Sequence, residues 1–365
     1  MRIAYIGIKG LPSKAGADRV VEAIVQHLSD EHEITVYCSA SVVPPNATYS
    51  GIELIRMPVI EGKHAHATSL FIMSALHALS RDYDLIHLHN VEASFVLPLL
   101  KLKYKVIVTS HGANGVLEKW GRVAKFLYRF TVWPIRFADC ITTVAKHQVE
   151  SNEEKFSKKV LYIPNGVDLE IDVADLKKAR ECLELFQVGS NPYMLFAAGR
   201  VIPTKGAVTL LEAYSRLTTD CQLVIVGDTS HLPSYENELH HLADSRVVFI
   251  PLLDKEVLLG VTRLAEFFVF PSTMEAMSMM LLEAATQEVP IIASDIPGNT
   301  SILPNDALYF ISGDAEDLYC QMDWALQNPD DMREMGSGAK AWVEGYYQWD
   351  TIVKQYDELY HEVAK

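Results

Sequence analysis

Two carboxylates stand in one apolar stretch of the chain and are the first candidates for chemistry. Glu275 follows the break Pro271-Ser272-Thr273, and Glu283 lies inside the apolar run MMLLEAA. A buried carboxylate is costly unless a partner neutralises it or donates hydrogen bonds to it. If both residues lie on one helix, roughly 12 Å separates them, which is too far for the two groups to share one proton.

That separation suits an elongated ligand with hydroxyl groups at both ends and an anion between them, which is the shape of a nucleotide sugar. The free N–H groups at the N-terminus of a helix attract such an anion. The alternative is structural: Glu275 would be a first-turn carboxylate that the helix dipole favours, and Glu283 would reach the surface or a buried arginine. The spacing of the two residues leaves both interpretations open.

A cationic pair stands in the second half of the chain. Arg200 and Lys205 lie between Gly199 and Gly206, where a predicted strand ends and a predicted helix begins. Arginine offers a planar fork of donors and lysine a compact charge, and together they suit a pyrophosphate. The alternative, pairing with surface acids, explains less well why glycine and a helix start coincide with the cations.

Histidines lie in or directly after two predicted strands of the first half. The strand 105–110 ends at His111, and ligand chemistry in open α/β sheets gathers at such carboxyl ends, so His111 is a candidate catalytic residue. His87 and His89 lie on one face of the strand 84–90. No cysteine stands near them in sequence, which favours structural histidines over a metal site.

A glycine-rich loop, residues 7–16, joins the first predicted strand to the first predicted helix. Such loops commonly let the backbone approach a phosphate, although many of their glycines only serve the turn. The spacing matches neither the dinucleotide fingerprint nor a P-loop, which argues against an oxidoreductase or an ATPase.

Predicted strands and helices alternate along the whole chain of 365 residues, which is long for a single core. This alternation predicts two α/β domains with ligand-binding loops at the strand ends and a cleft between them. The predicted strands are residues 2–7, 33–38, 52–57, 84–90, 105–110, 139–144, 160–163, 193–198, 222–226, 247–251, 267–270 and 290–294. The predicted helices are residues 17–28, 69–79, 207–216, 277–286, 315–327, 331–344 and 350–364, and residues 169–191 are predicted to connect the domains.

The composition, with 49% hydrophobic and 22% charged residues, is that of a globular protein, and its net charge of −15 is unevenly distributed. Residues 1–170 hold 19 basic against 17 acidic side chains, whereas residues 171–365 hold 13 against 30, which argues against nucleic acid as a partner of the acidic half. Five scattered cysteines and a first strand at the N-terminus predict a reduced, cytoplasmic protein without a secretory signal. No apolar run approaches the ~18 residues that a membrane span needs.

Basic and aromatic residues concentrate in residues 101–136. The basic ones are Lys101, Lys103, Lys105, Lys119, Arg122, Lys125, Arg129 and Arg136, and the neighbouring aromatic ones are Trp120, Phe126, Tyr128, Phe130, Trp133 and Phe137. Glu118 is the only acidic residue within the segment 101–136. Such a run is most often a solvated helical face. In a chain this acidic, it favours peripheral contact with an anionic membrane.

Taken in order, these motifs resemble those of glycosyltransferase family 4, whose members are retaining enzymes with the GT-B fold and nucleotide-sugar donors. The resemblance covers the whole chain and rests on residues 10–16, His111-Gly112, residues 165–168, residues 199–206 and the Glu275/Glu283 pair. It implies two Rossmann-like βαβ domains that face each other across a cleft. The acceptor-side domain would comprise residues 1–168 with a last helix, about 345–365, packing back on it, and the nucleotide-sugar domain residues 169–344.

The resemblance also implies a role for each matching residue. Arg200 and Lys205 would hold the pyrophosphate and Gly16 would let the backbone approach it, Glu275 would contact the transferred sugar, Glu283 the ribose hydroxyls and His111 the sugar near the reacting carbon. Gly199, Leu253, Met277 and Ser278 would complete the donor site. No metal and no cofactor are implied.

The chain departs from the family pattern at two places. The family often has Gly-Phe-Gly after the first glutamate, whereas this chain has Ala276-Met277-Ser278, and a glycine near the end of the following helix is replaced by Glu288. The first change alters how the backbone approaches the donor, and it leaves the identity of the donor open.

The function that the resemblance implies is transfer of a hexose from a nucleotide diphosphate sugar, preferably a UDP-sugar, to a glycan or lipid-linked acceptor with retention of configuration, as in bacterial surface polysaccharide or glycolipid synthesis. Arg200, Lys205 and helix N-termini would meet the charge of the departing diphosphate in place of a metal ion. Two alternatives stay open. One is a UDP-sugar 2-epimerase with the same fold, and the other is a sugar-nucleotide-binding protein without catalysis, against which the intact set of site residues argues.

Overall fold

The computed structural model describes residues 1–12, 16–62, 65–112, 129–168 and 173–365. The chain divides into two compact units. Unit 1 contains Met1–Gly166 together with Trp349–Lys365, and unit 2 contains Val167–Gln348.

Unit 1 is built on a parallel sheet whose described strands are ordered β3-β2-β1-β4-β5-β6-β7. The central strands are buried along almost their whole length, as expected for strands that are covered on both faces. The strands are β1 (Arg2–Ile6), β2 (Glu33–Ser39), β3 (Ile52–Met57), β4 (Leu85–His89), β5 (Lys105–Ser110), β6 (Cys140–Thr143) and β7 (Val160–Tyr162). The α-helices described in this unit are Gly16–Leu28, Ala65–Ala78, Leu97–Leu100, Val149–Phe156 and Trp349–Ala364.

Helices pack against this sheet through apolar stripes. The helix Ala65–Ala78 buries Leu70 and Phe71 in a core cluster that includes Ile86 and Val106 of the sheet. The last helix of the chain, Trp349–Ala364, lies against the helix Gly16–Leu28 and against β4. It buries Trp349, Ile352, Val353, Tyr356, Leu359 and Tyr360, which repeat at helical spacing.

Unit 2 is built on a second parallel sheet whose described strands are ordered β10-β9-β8-β11-β12-β13. The strands are β8 (Tyr193–Arg200), β9 (Gln222–Asp228), β10 (Val247–Ile250), β11 (Phe267–Phe270), β12 (Ile291–Ser294) and β13 (Leu308–Phe310). The described α-helices are Val173–Leu185, Ala207–Tyr214, Pro233–Leu242, Lys255–Arg263, Met279–Thr286, Pro297–Thr300, Ala315–Gln327 and Pro329–Tyr346. Phe196 and Val269 of the sheet, Leu210 and Leu211 of one helix and Met322 of another share its core.

The order of the strands reverses at one place in each sheet. In unit 1 the reversal falls between β1 and β4, and in unit 2 it falls between β8 and β11. Loops that leave adjacent parallel strands on the two sides of such a point diverge, and they leave a crevice at the carboxyl ends of the strands where ligands bind. The two reversals therefore show where a site should be sought in each unit.

The α/β class with two parallel sheets is confirmed. The strands predicted at residues 52–57, 105–110 and 267–270 are found with those bounds. Helices Pro233–Leu242 and Lys255–Arg263 lie where no individual helix is predicted, and they span only 10 and 9 residues, so each offers a short pattern to recognise. Within the predicted connection, residues 173–185 are helical, and residues 169–172 lie outside the described part of the chain.

All five cysteines are free thiols. Among the residues that the structure describes, no helix combines the length and the apolar composition that crossing a membrane requires.

Candidate functional site

The loop after β8 presents the predicted cations at the strand-order reversal of unit 2. Gly199 and Arg200 are exposed at the end of β8, and a Cβ added to Gly199 would meet nothing within 4 Å. In the described part of the chain, the guanidinium of Arg200 has no hydrogen-bond or ion-pair partner. Its five N–H donors are therefore available to a ligand.

The loop after β11 packs tightly against the loop after β8. Gly206 has a φ of +75°, and a Cβ added there would lie 1.9 Å from the carbonyl oxygen of Pro271. The backbone N–H of Thr273 donates to the carbonyl of Thr204 over 2.9 Å. Only glycine combines that backbone conformation with that approach, so Gly206 fixes the distance between the two loops.

This packing brings together two of the predicted site residues. Lys205 Nζ donates to Glu275 Oε1 over 2.5 Å, and both side chains are largely shielded from water. On the other side of Glu275, a Cβ added to Gly298 would lie 2.3 Å from the carbonyl oxygen of Glu275. The backbone of Glu275 is therefore held by the close approach of Gly298, and its side chain by the ion pair with Lys205.

Glu275 does not belong to the helix. The helix begins at Met279, four residues after Glu275 and two residues later than predicted, because the hydroxyl of Ser278 accepts from Leu281 N and caps it. The interpretation of Glu275 as a first-turn carboxylate is therefore wrong. The separation of roughly 12 Å between Glu275 and Glu283 also does not apply, because it assumed helix between the two residues.

Glu283 lies inside the helix Met279–Thr286 and is 1% exposed. The structural alternative in which its carboxylate reaches the surface is therefore wrong. Met277 and Ser278 are also buried, and Ser278 is occupied as the helix cap.

Two segments of this chain differ from the usual family glycines, residues 276–278 and Glu288. The backbone is unstrained at the first and strained at the second. Ala276, Met277 and Ser278 all have negative φ, so their side chains cause no backbone strain. Glu288 has a φ of +61°, in the left-handed region that glycine prefers. Its carboxylate accepts from Ser337 Oγ over 2.8 Å and pairs with Lys340 Nζ over 3.1 Å, which offsets part of that strain.

Leu253, which is also predicted to bind the donor, lies in another loop of unit 2. It is half-buried in the loop after β10, and β10 is two positions from β8 at the edge of the sheet.

In unit 1, the loops after β1 and β4 meet at the other strand-order reversal. Gly7 has a φ of +111°, and a Cβ added there would lie 1.8 Å from the carbonyl oxygen of His89. Asn90 Nδ2 donates to the carbonyl of Gly7 over 2.7 Å. Gly16 is exposed and begins the following helix, and a Cβ on it would meet nothing within 4 Å, whereas Ser13, Lys14 and Ala15 lie outside the described residues.

The predicted catalytic histidine, His111, directly follows β5 and contacts His89. The distance from His111 Nε2 to His89 Nδ1 is 3.0 Å. Burial lowers the pKa of His111 to about 4, and it lowers the pKa of His89 well below its ordinary value. Both rings are therefore neutral at physiological pH.

His87 takes part in a buried network of hydrogen bonds. Its Nδ1 lies 2.7 Å from the hydroxyl of Tyr360, and its Nε2 lies 2.6 Å from the hydroxyl of Thr109. Burial lowers the pKa of His87 to about 3, with a smaller contribution from His111. Both of its nitrogens are thus used within unit 1, which agrees with the structural interpretation of this histidine.

Among the described residues, one group of ligand-type side chains lies close enough to share a metal ion. It consists of Glu31, His32 and Asp357. His32 directly precedes β2, at the opposite end of the sheet from His111, and its Nε2 already lies 2.7 Å from Asp357 Oδ1. This group is separate from the candidate site.

An acidic side chain that the sequence analysis missed lies beside the glycine-rich loop. Asp18, in the first turn of the helix Gly16–Leu28, is buried and accepts from the backbone N–H of Lys9 over 3.2 Å. Burial raises its pKa from 3.8 to about 6, although the hydrogen bond from Lys9 opposes the shift. A carboxylate that follows a glycine-rich loop in the first helical turn is the signal that could have revealed it.

The basic and aromatic segment of residues 101–136 is described only in part. Lys119, Arg122, Lys125, Trp120, Phe126 and Tyr128 lie outside the described residues. Of the aromatic residues that are described, Phe130 is 64%, Trp133 51% and Phe137 45% exposed. The guanidinium of Arg136 lies 4.7 Å from the centre of the Trp133 ring, so cations and aromatic rings share one surface.

The sequence matches two family models that together span most of the chain. The model described as "Glycosyltransferase Family 4" matches residues 15–171, and the model described as "Glycosyl transferases group 1" matches residues 185–342. Each match falls largely within one of the two structural units.

Two individual proteins that resemble the chain along most of its length share less than a quarter of its residues in the aligned regions. It is 22% identical to the N-acetyl-alpha-D-glucosaminyl L-malate synthase of Bacillus anthracis, over 99% of this chain and 97% of that protein. It is 23% identical to the UDP-Gal:alpha-D-GlcNAc-diphosphoundecaprenol alpha-1,3-galactosyltransferase of Escherichia coli, over 84% and 82% of the two chains.

Among solved structures, the sucrose-phosphate synthase of Thermosynechococcus elongatus superposes with a TM-score of 0.84 at 21% identity, over 99% of this chain and 98% of that one. This likeness shows the fold, which is GT-B. With both halves matched by the family models, the chain belongs to glycosyltransferase family 4, and it is a glycosyltransferase with the GT-B fold.

Proposed function

We propose that the protein transfers a hexose from a UDP-sugar to a glycan or lipid-linked acceptor with retention of configuration and without a metal ion. The observation that carries the proposal is the arrangement in unit 2. Arg200 is the last residue of one strand at the order reversal and Lys205 lies in the loop after it, while Glu275 follows the adjacent strand and contacts Lys205.

This arrangement fits the two parts of a nucleotide-sugar donor. The departing diphosphate carries about two negative charges, and the available guanidinium of Arg200 beside the ammonium of Lys205 would stabilise them as the bond to the sugar breaks. Glu275 is a carboxylate within reach of the same loop, and carboxylates accept hydrogen bonds from sugar hydroxyls. Two cations in place of a divalent ion are the basis for proposing metal independence.

Retention is proposed through attack of the acceptor hydroxyl on the same face of the sugar that the diphosphate leaves. A covalent intermediate would need a free carboxylate as its nucleophile. Glu275, the carboxylate at the strand-order reversal, is paired with Lys205 at 2.5 Å, and such pairing makes a carboxylate a weaker nucleophile. This contact therefore supports same-face attack over a two-step reaction.

The donor and acceptor classes rest on the relatives. The galactosyltransferase of Escherichia coli is named for a UDP-sugar donor and for an acceptor that is joined through a diphosphate to undecaprenol. We extend these classes to this chain, with a role in surface polysaccharide or glycolipid synthesis.

An acceptor on a lipid requires the enzyme to work at a membrane surface, and we propose peripheral contact through the segment 129–137. Phe130, Trp133 and Phe137 are exposed beside Arg129 and Arg136, a combination that suits the headgroup region of an anionic bilayer. Each cation contributes about 1 kcal/mol near such a surface. Co-sedimentation with anionic vesicles should decrease at high salt and in the triple variant Arg129→Glu/Trp133→Ala/Arg136→Glu, and equal binding by that variant would refute the contact.

The function itself is tested with a panel of nucleotide sugars. UDP-glucose, UDP-galactose and UDP-N-acetylglucosamine are compared with GDP-mannose by thermal shift, and the donor that stabilises the protein is then assayed with lipid diphosphate-linked sugars in EDTA. The proposal predicts transfer in EDTA and an α-linked product from an α-linked donor, read by NMR. Activity that returns only with magnesium or manganese would overturn metal independence, and an epimerised sugar formed without acceptor would indicate a 2-epimerase.

A further inference from the structure

The ring of His89 determines which nitrogen of His111 is available to a ligand. His89 Nδ1 lies 3.0 Å from His111 Nε2, and the two rings stack with their centres 5.3 Å apart at 24°. His89 is fully buried, whereas His111 is half-buried at the end of β5. Among the described residues, the other nitrogen of His111, Nδ1, has no hydrogen-bond partner.

Buried side chains that pack around the ring of His89 fix its orientation. The ring of His87 lies 4.0 Å from the ring of His89, centre to centre. His87 is held by Tyr360 and Thr109 through both of its nitrogens. The ring of Tyr5 also stacks on the ring of His89, with their centres 5.9 Å apart at 23°. His89 therefore presents its Nδ1 to His111 in a packed environment.

The hydrogen bond between the two histidines needs one proton, and the surroundings of His89 decide which ring supplies it. His89 Nε2 is buried, and no residue in the described part of the chain forms a hydrogen bond with it. If Nε2 carried the proton, a buried N–H donor would lack an acceptor, which is rarer and more costly than an acceptor without a donor. The proton of His89 therefore belongs on Nδ1, from which it is donated to Nε2 of His111.

We propose that His89 is a positioning residue that fixes His111 as the neutral tautomer with its proton on Nδ1. In this form the free nitrogen of His111 is a hydrogen-bond donor, because the bond made by one ring nitrogen sets the state of the other. His111 then donates to an oxygen of the nucleotide-sugar donor and does not act as a general base. This inference rests on the proposed function for the ligand, while the tautomer is a property of the free protein.

The tautomer is measured directly by NMR of the protein labelled with ¹⁵N at histidine, with the His111 signals identified by their loss in His111→Ala. The wild-type protein should show a protonated Nδ1 and a bare Nε2 on His111 at neutral pH. His89→Leu removes the donor and should remove this preference. His89→Asn should restore it, because the asparagine amide places an N–H where Nδ1 of histidine stands.

Leu88→Ala is the matched control, since Leu88 lies on the opposite buried face of β4 and its truncation removes no hydrogen bond to His111. Its His111 signals should stay those of the wild type.

With the nucleotide sugar that best stabilises the protein in the donor panel, His89→Leu should lower kcat at least roughly tenfold, with partial recovery in His89→Asn. Thermal unfolding shows whether each variant is folded.

The outcomes separate this inference from the proposed function. A His111 that carries its proton on Nε2 in the wild-type protein, or that keeps its tautomer in a folded His89→Leu variant, overturns the positioning role whatever the activity. If His111→Ala transfers sugar at the wild-type rate, the role proposed for His111 in the reaction fails, and so does the donation to the nucleotide sugar. In that case the tautomer measurement would still decide whether His89 sets the protonation of His111.

Discussion

Lys205 and Glu275 form an ion pair, with Lys205 Nζ 2.5 Å from Glu275 Oε1, although 70 residues separate them in sequence. The pair joins the cation that we propose for the diphosphate to the carboxylate that we propose for the sugar. In the free protein each neutralises the other. A bound donor would have to share or replace this contact, and the first two predictions follow from that competition.

Glu275→Gln should bind UDP more tightly than the wild type and should transfer sugar more slowly. Removing the carboxylate charge frees Lys205 for the diphosphate, and a partly shielded pair of this kind is worth about 1 kcal/mol, or roughly fivefold in affinity. The affinity for UDP is measured by titration calorimetry, with the exposed Glu256→Gln as control. Unchanged or weaker UDP binding would show that the pair does not compete with the diphosphate.

Arg200→Ala and Lys205→Ala should each lose roughly tenfold to a hundredfold in kcat/KM while the fold is kept, since each loses a charged hydrogen bond of ~1.5–3 kcal/mol.

Lys205→Ala also leaves Glu275 unneutralised beside the phosphates. The double variant Lys205→Ala/Glu275→Gln should therefore bind UDP better than Lys205→Ala alone, which a double-mutant cycle measures. Strict additivity of the two changes would contradict the coupling.

Gly206→Ala should damage the site more than Gly189→Ala. Both glycines have positive φ, +75° and +61°, so both substitutions bring similar backbone strain, of order 1 kcal/mol. Only at Gly206 would the new Cβ also meet a backbone atom, the Pro271 oxygen at 1.9 Å, and the two loops would have to move apart. UDP affinity and the melting temperature are compared in the two variants, and equal effects would show that the loop contact is unimportant.

Asp18→Asn should stabilise the protein at pH 7 and lose this advantage in acid. The folded pKa of about 6 exceeds the reference value of 3.8, so the folded state binds more protons between these values and its stability falls as pH rises through that window. Above pH 6 the wild type carries the full cost of the buried charge, which asparagine avoids, by roughly 1–2 kcal/mol once its weaker acceptor is counted.

The difference in unfolding free energy between this variant and the wild type is measured from pH 3.5 to 7.5, with the exposed Asp30→Asn as control. It should be largest above pH 6 and should vanish near pH 3.8 or below. A difference that does not change with pH would show that the Asp18 carboxylate is not strained by burial.

The sequence by itself determined the local features of this protein. Apolar runs such as residues 105–110 and 267–270 specify buried strands, because strands covered on both faces need apolar residues throughout. His111 after residues 105–110 and the pair Arg200 and Lys205 after residues 193–198 could be named as candidates because ligand sites gather at the carboxyl ends of strands. The resemblance to glycosyltransferase family 4 was also available from the order of these motifs.

The tertiary structure decided which candidates meet. Lys205 contacts Glu275 because β8 and β11 are neighbours in the sheet, and His89 contacts His111 because β4 and β5 are neighbours. Glu275 lies outside the helix because Ser278 caps the N-terminus of that helix. The apolar pattern of the sequence did not reveal where the helix begins. The periodicity of a sequence indicates which residues of one segment are buried. The order of the strands depends on how all segments of a unit pack together, and that order determines which distant residues make contact.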